Sequence, residues 1–275
     1  MRDPMAAEFT DRTPTTMSPR RRGVRAVDRA LDVLTAFSAA HPRLQLSELA
    51  EAAGLPKTST HRIAVTLVER GFLRQDGDGA YTLGSRLIEL GSLVSATTEL
   101  ARLTAAAQAF PLSGGEALLV AEADWPDKSL IITTKLQSPH SPTALSPVGR
   151  RSVLANGCVS QAVLSGLPAE EVRSLLPHLR LAKRTPASIT DAEEFLREVE
   201  AARNRGHAVE VEQFLPGIAG VAVPVMSAGR PIGAVAVCGP TANLPRRRLN
   251  SLALDLKQLL GRALPAQAPK AASGG

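Results

Sequence analysis

Cysteine is nearly absent. Cys158 and Cys238 are the only two in 275 residues and lie far apart, which gives no disulfide framework and no metal-ligand spacing. A reducing compartment is the expectation, with no metal and no cofactor. Aromatic residues are scarce at 3%, with one Trp and one Tyr. No apolar run approaches the ~20 residues that a membrane-spanning helix needs. The arginines of "SPRRRGVRAVDRALDVL" could open an export signal, but Arg25, Asp28, Arg29 and Asp32 follow where an apolar segment would have to stand. A cytoplasmic protein without membrane partners is expected. No nucleotide loop occurs in the C-terminal half.

The length suits two ordinary domains. A net charge of +6 permits binding to nucleic acid without requiring it. Residues 1–23, rich in Pro, Thr and Arg and lacking periodicity, read as a disordered basic arm that ends in Arg20-Arg21-Arg22. A helix is expected from Val24 to Ala40, with Val27, Ala30, Leu31, Leu34 and Phe37 on one face and His41-Pro42 as its stop. A short helix, Glu48 to Ala53, follows with Ser47 as N-cap. Gly54 then makes a turn.

"LPKTSTHRIAVTLVERGFL" carries the most information. Thr60, Ile63, Ala64 and Leu67 recur at the spacing of one buried helical face. Pro56 suits the start of that helix and Gly71 its end. The opposite face holds Lys57, Thr58, Ser59, His61, Arg62 and Thr66, and the first acid is Glu69. A helix N-terminus with basic, hydroxyl and imidazole donors suits phosphates and base edges. "FLRQDGDGAYTLG" then reads as a β-hairpin turning at Asp76–Gly79. Helix, helix, turn, helix and hairpin in this order make a winged helix-turn-helix, whose third helix lies in the major groove of double-stranded DNA. The expected DNA contacts are Arg22, Arg25, Ser47, Lys57, Thr58, Ser59, His61, Arg62, Thr66, Arg74 and Tyr81. The domain spans residues 24–84.

Helical spacing continues from Arg86 to Phe110, with Gly91 as the expected break, and residues 85–98 are assigned as a linker helix. Residues 99–264 alternate strand and helix patterns. "ALLVAEA" and "SLIITTKLQ" read as strands with Trp125-Pro126 between them. Helices are expected near Ser152–Leu164 and Ala169–Leu176, and a third is opened by a Thr190/Glu193 capping box. "HAVEVEQ", "IAGVAVPVM" and "PIGAVAVCG" read as strands, and a last helix runs from Arg246 to Leu264. This is an α+β ligand-domain pattern, with residues 265–275 as a flexible tail. Arg246-Arg247-Arg248 is expected to be a solvated or subunit-facing patch. An enzyme is the alternative reading, with Cys158, His207 and Glu212 as thiol, base and orienter. No motif surrounds any of the three, and both cysteines sit in apolar patterns that favour buried thiols.

Several stretches together resemble the IclR-type transcriptional regulators: "RALDVLTAF", "LSELAEAAGLPKTSTHR", "LVERGFL", "YTLGSRLIELG", "VGRRSVLAN", "SITDAEEF" and "RNRGHAVEVEQFLPGIAGVAVPV". The resemblance covers about residues 24–262. It implies a winged-helix DNA-binding domain, a helical linker and a GAF-like effector domain, assembled as a homodimer or a dimer of dimers on an inverted-repeat operator. It further implies a regulator, expected to be a repressor, of a metabolic operon under a small-molecule effector. The effector pocket it implies is lined by Asn156, Gly157, Cys158, Gln213, Gly220 and Cys238. Gln213 replaces the family's acidic residue, Gly220 its customary cysteine, and Ala236 and Cys238 its usual serines. Such a lining suggests an effector bulkier and less charged than a two- or three-carbon acid, held by Asn156 and Gln213.

Overall fold

The computed structural model describes residues 23–38, 40–97, 99–139, 141 and 147–264. Arg22 and the rest of the arm before Gly23 lie outside the described residues, as does the tail from 265. The chain divides into two compact units between Ala96 and Thr97.

The first unit contains α1 (Arg25–Thr35), β1 (Arg43–Leu44), α2 (Leu46–Ala53), α3 (Lys57–Glu69), β2 (Leu73–Gln75), β3 (Tyr81–Leu83) and α4 (Arg86–Thr97). Thr60, Ala64 and Leu67 turn inward from α3 as their spacing requires. Ala64 and Leu67 join a core with Val33, Leu44, Leu49, Leu73 and Tyr81. α1 stops earlier than expected. Ser38 and His41 exchange backbone hydrogen bonds of 3.2 and 3.0 Å, which occupies groups that a longer helix would use. The cap of α2 is Gln45 rather than Ser47. Gln45 and Glu48 form a reciprocal capping box, the Gln45 N–H donating to Glu48 Oε2 at 2.7 Å, and this draws half-buried Leu46 into the helix.

The hairpin was expected, but its third strand was not. β1 pairs with β3 through Arg43↔Thr82 and Leu44↔Tyr81, giving the sheet order β1-β3-β2. Gly84 is required where the wing closes, because a Cβ there would lie 2.2 Å from the Gly71 carbonyl oxygen. Gly91 is no break. α4 continues through it to Thr97, and a Cβ at Gly91 would meet nothing within 4 Å.

The second unit begins with α5 (Glu99–Ala107), followed by β4 (Ala117–Asp124), β5 (Ser129–Gln137), β6 (Arg151–Val153), α6 (Cys158–Ser165), α7 (Ala169–Leu175) and α8 (Ala192–Arg205). It ends with β7 (Ala208–Val211), β8 (Ile218–Ser227), β9 (Arg230–Pro240) and α9 (Arg246–Ala263). The six strands form one antiparallel sheet ordered β6-β5-β4-β9-β8-β7.

Strand alternation sorts the core into two layers. Leu118, Val120, Val221, Val223, Val235 and Val237 face α5 and α9. Ala117, Ala121, Ala222, Ala234, Ala236 and Cys238 face α6. Because the second set is small, α6 sits close to the sheet, and from Ser160 to Ser165 every residue of that helix is buried. The α+β, GAF-like architecture is present. Three boundaries moved: Arg151–Val153 is a strand rather than the start of a helix, α6 begins at Cys158, and α8 is capped by Asp191, which accepts from the Glu194 N–H at 2.8 Å. Arg248 is not merely solvated. It makes a two-point ion pair with Glu116, which is 2% exposed, at 2.9 and 3.1 Å. Among the described residues, no helix is long and apolar enough to cross a membrane.

Candidate DNA interface and effector cavity

On α3, the inward turn of Thr60, Ala64 and Leu67 fixes what faces outward. Lys57, Thr58, His61, Arg62 and Thr66 are exposed and Ser59 is half-buried. Thr60 spends its hydroxyl on the Pro56 carbonyl at 3.1 Å, and Thr66 on the Arg62 carbonyl at 3.1 Å. The Thr66 hydroxyl proton is thus engaged within the helix. The first turn carries no acid, and no side chain caps the start of the helix, so its leading N–H groups and the Lys57 charge make one positive end. Ser47 is exposed in the first turn of α2, and Arg25 and Arg74 are exposed on α1 and β2.

Tyr81 does not belong to this set. At 1% exposure it packs into the core of the first unit, because pairing with Leu44 and Gln75 turns it to the inner face of the three-stranded sheet. A residue that sequence reasoning missed is Arg43. Its Nε donates to Asp76 at 3.0 Å and its other arm pairs with Asp78, which pins the wing turn to β1. These hydrogen bonds hold the exposed Asp78 carboxyl below its ordinary value.

The second unit encloses a cavity of about 50 Å³ between the start of α6 and the sheet. Leu119, Leu130 and Ile132 form its apolar floor, and Asn156, Gly157, Ser160, Glu210 and Cys238 supply polar or small groups. Phe214 and Leu215 close it from the β7–β8 loop. Of the six expected effector residues, Asn156, Gly157 and Cys238 line this space. Cys158, Gly220 and Gln213 are not in its lining, and Gln213 Oε1 accepts from Gln161 Nε2 at 2.9 Å.

The loop is latched from the α7–α8 connection. Thr185 donates to the Glu212 carbonyl at 2.6 Å and Ser188 to the Gln213 carbonyl at 2.7 Å. Arg150 and Arg184 flank the Phe214 ring, 5.7 and 4.8 Å from its centroid.

Glu210, which is not among the six expected effector residues, brings a buried carboxyl to the cavity lining. It is 6% exposed, its Oε1 accepts from the Cys158 thiol at 3.3 Å, and its Oε2 is buried without a hydrogen-bond partner. Burial pushes its carboxyl up, against the opposing pull of the Cys158 thiol and the backbone N–H groups of Cys158 and Phe214. The signal was available: Glu210 shares strand parity with fully buried Ala208. Asn156 gives its Nδ2 to the Ala182 carbonyl at 2.6 Å and leaves Oδ1 buried without a partner.

The geometry gives no support to a thiol enzyme. Cys158 is fully buried, and its hydrogen bond with Cys238, desolvation and the charges of Cys238 and Glu210 hold the thiol well above its ordinary pKa. A thiol so held is a poor nucleophile. His207 bonds the Arg205 carbonyl at 3.1 Å and lines neither the cavity nor its wall.

A winged helix-turn-helix with an acid-free recognition face, carried with a separate α+β unit that holds a cavity, defines a two-domain transcriptional regulator. Family models match both halves: the IclR helix-turn-helix domain over residues 26–77, and the bacterial transcriptional regulator IclR C-terminal domain over 121–261. The chain belongs to the IclR family of bacterial transcriptional regulators. It is 30% identical over 229 residues to the HTH-type transcriptional regulator KipR of Bacillus subtilis, covering 78% of this chain and 86% of that one. It is 25% identical over 249 residues to the transcriptional repressor IclR of Escherichia coli, covering 90% and 91%. The crystal structure of an IclR transcriptional regulator from Alicyclobacillus acidocaldarius superposes with a TM-score of 0.77 at 25% identity, covering 88% and 98%.

Proposed function

We propose that this protein represses an operon of small-molecule metabolism in the bacterial cytoplasm, reading its operator through α3 and releasing it when an effector occupies the cavity beside α6. The observation that carries this is the acid-free, exposed face of Lys57, Thr58, His61 and Arg62 at the uncapped start of α3. Arg62 reads a base edge, whereas Lys57, Arg25 and the arm bearing Arg22 neutralise phosphates. Repression and an operon target follow the names of relatives, which include the acetate operon repressor of Salmonella typhimurium and the glycerol operon regulatory protein of Streptomyces coelicolor.

The active species is a homodimer or a dimer of dimers. Val24, at the start of α1, and Val27 and Leu31 on it leave an exposed apolar stripe, and Ile88, Leu90 and Leu93 are exposed on α4; exposed apolar surface of this kind marks a protein contact. Residues 85–98 serve as the linker through which the effector domain acts on the DNA-binding domain. The effector is held at Asn156 and Glu210, and the protein carries out no catalysis of its own. Competition between the DNA flanking its own gene and random DNA tests the proposal. A preference for the flanking fragment supports it, and equal affinity for both contradicts it.

A further inference from the structure

One apolar residue of α3 stands where packing has no use for it. Ile63, Ala64, Leu67 and Val68 belong to the core of the first unit or pack against it, whereas Val65 does neither and is 39% exposed. Helical spacing puts it on the outward face. His61 and Arg62, four and three residues before it, are its neighbours on the preceding turn, and both are exposed. A β-branched side chain lowers helix propensity slightly, and at an exposed position no burial offsets that cost. Single apolar residues are common on protein surfaces. This one is set apart by its place, in the middle of a face otherwise formed by Lys57, Thr58, His61, Arg62, Thr66 and, at its far end, Glu69. A local rule broken without a gain in packing is the mark of a functional position.

We propose that Val65 reads the C5 methyl group of a thymine in each operator half-site. The proposal deepens the reading of α3 given above and rests on it. Thymine is the base that presents a methyl group in the major groove, where cytosine presents an amino donor. A side chain without donor or acceptor favours the methyl and leaves the amino group unpaired, so it separates the two pyrimidines. Valine in a helix is nearly confined to one rotamer, so its methyls are held ready with little entropy left to lose. The helix rise fixes where the thymine lies. Val65 is about 4.5 Å beyond Arg62 along the axis, and successive bases are about 3.4 Å apart, so the thymine is expected about one or two base pairs from the base edge that Arg62 contacts.

The test uses full-length protein and operator DNA in which deoxyuridine replaces thymidine at one position at a time, which removes a methyl group and nothing else. In gel-shift titrations the wild type is expected to lose about fourfold in affinity at one thymine of a half-site, the worth of one buried methyl, and about sixteenfold when both half-sites are altered. Val65→Ala is expected to bind the unaltered operator about as weakly as the wild type binds the doubly altered one. It should also be indifferent to the replacement and keep its affinity for random DNA. Arg62→Ala, weaker on the operator, is expected to keep the wild-type ratio between thymine and uracil. Each ratio is taken within one protein, so a change in folding cannot imitate it. A wild type that prefers its operator yet tolerates uracil at every thymine overturns the inference and leaves the reading of α3 standing. So does a Val65→Ala variant that keeps the wild-type ratio. Equal affinity of the wild type for operator and random DNA refutes both.

Discussion

A Cβ on Gly220 would lie 2.7 Å from Cys238 Sγ, so the absence of a side chain at one residue is what allows the thiol of the other to face the α6 layer. Overpacking of this kind costs about 1–3 kcal/mol. Gly220→Ala is expected to lower unfolding stability by about that amount, and adding Cys238→Ala is expected to return most of it. Denaturant unfolding of the single and double variants measures the coupling. A double variant no more stable than the single one would show that the clash lies elsewhere.

Glu210 should make stability depend on pH. Burial raises its folded-state value above the ordinary 4.5, so the folded chain keeps a proton that the unfolded chain gives up. The neutral carboxyl is at no disadvantage below the unfolded value. As pH rises from there to the folded value the wild type loses stability, and above the folded value the loss levels off. Glu210→Gln carries no such proton. The wild-type minus variant difference in unfolding free energy should therefore fall with pH above about 4.5 and then flatten. A difference independent of pH would mean that Glu210 titrates in the folded chain as it does in the unfolded one.

Arg43 is expected to act on DNA affinity far more than on folding. Its pairs with Asp76 and Asp78 are exposed, and exposed pairs contribute only about 0–1 kcal/mol. Arg43→Ala should leave the melting temperature nearly unchanged but weaken binding to all DNA sequences alike, because two uncompensated carboxylates then face phosphate. Asp76→Asn with Asp78→Asn should do the reverse. Gel-shift titrations on operator and random DNA decide. A large fall in melting temperature for Arg43→Ala would make the residue a structural support rather than a charge mask.

Tyr81 separates the core from the contact surface. Tyr81→Phe keeps the buried ring and should bind operator as the wild type does. Tyr81→Ala opens a cavity worth about 3–5 kcal/mol and should unfold the first unit. A loss of operator affinity in a fully folded Tyr81→Phe variant would restore the hydroxyl to the DNA interface.

The two-domain plan and the recognition helix were legible because one physical rule decided each. Thr60, Ala64 and Leu67 fix the inner face of α3 by period alone, and that leaves Lys57, His61 and Arg62 nowhere to point but outward. Boundaries were less legible where two caps compete: Gln45 and Asp191 win over Ser47 and Thr190 by one or two residues, each through its own hydrogen bonds to the first turn. Tyr81 misled because strand parity on a three-residue strand depends on its partners, and β1 was not foreseen. The cavity was the least legible feature. Cys158, Glu210 and Cys238 meet only because β7, β8 and β9 lie side by side with Gly220 in the middle, and that is a property of strand order, which no spacing along the chain encodes.

The central claim is that α3 reads a specific operator for a two-fold dimer. Footprinting of the DNA flanking the gene, with wild type and Arg62→Ala side by side across a salt series, tests it most directly. The account predicts two protected half-sites whose centres are separated by roughly one helical turn of ~10 bp or a multiple. Arg62→Ala should lose about 1–3 kcal/mol on the operator and less on random DNA, whereas Lys57→Ala should weaken both and reduce the salt slope by about 0.9. Uniform, sequence-independent protection, or an operator footprint that Arg62→Ala leaves unchanged, would contradict it.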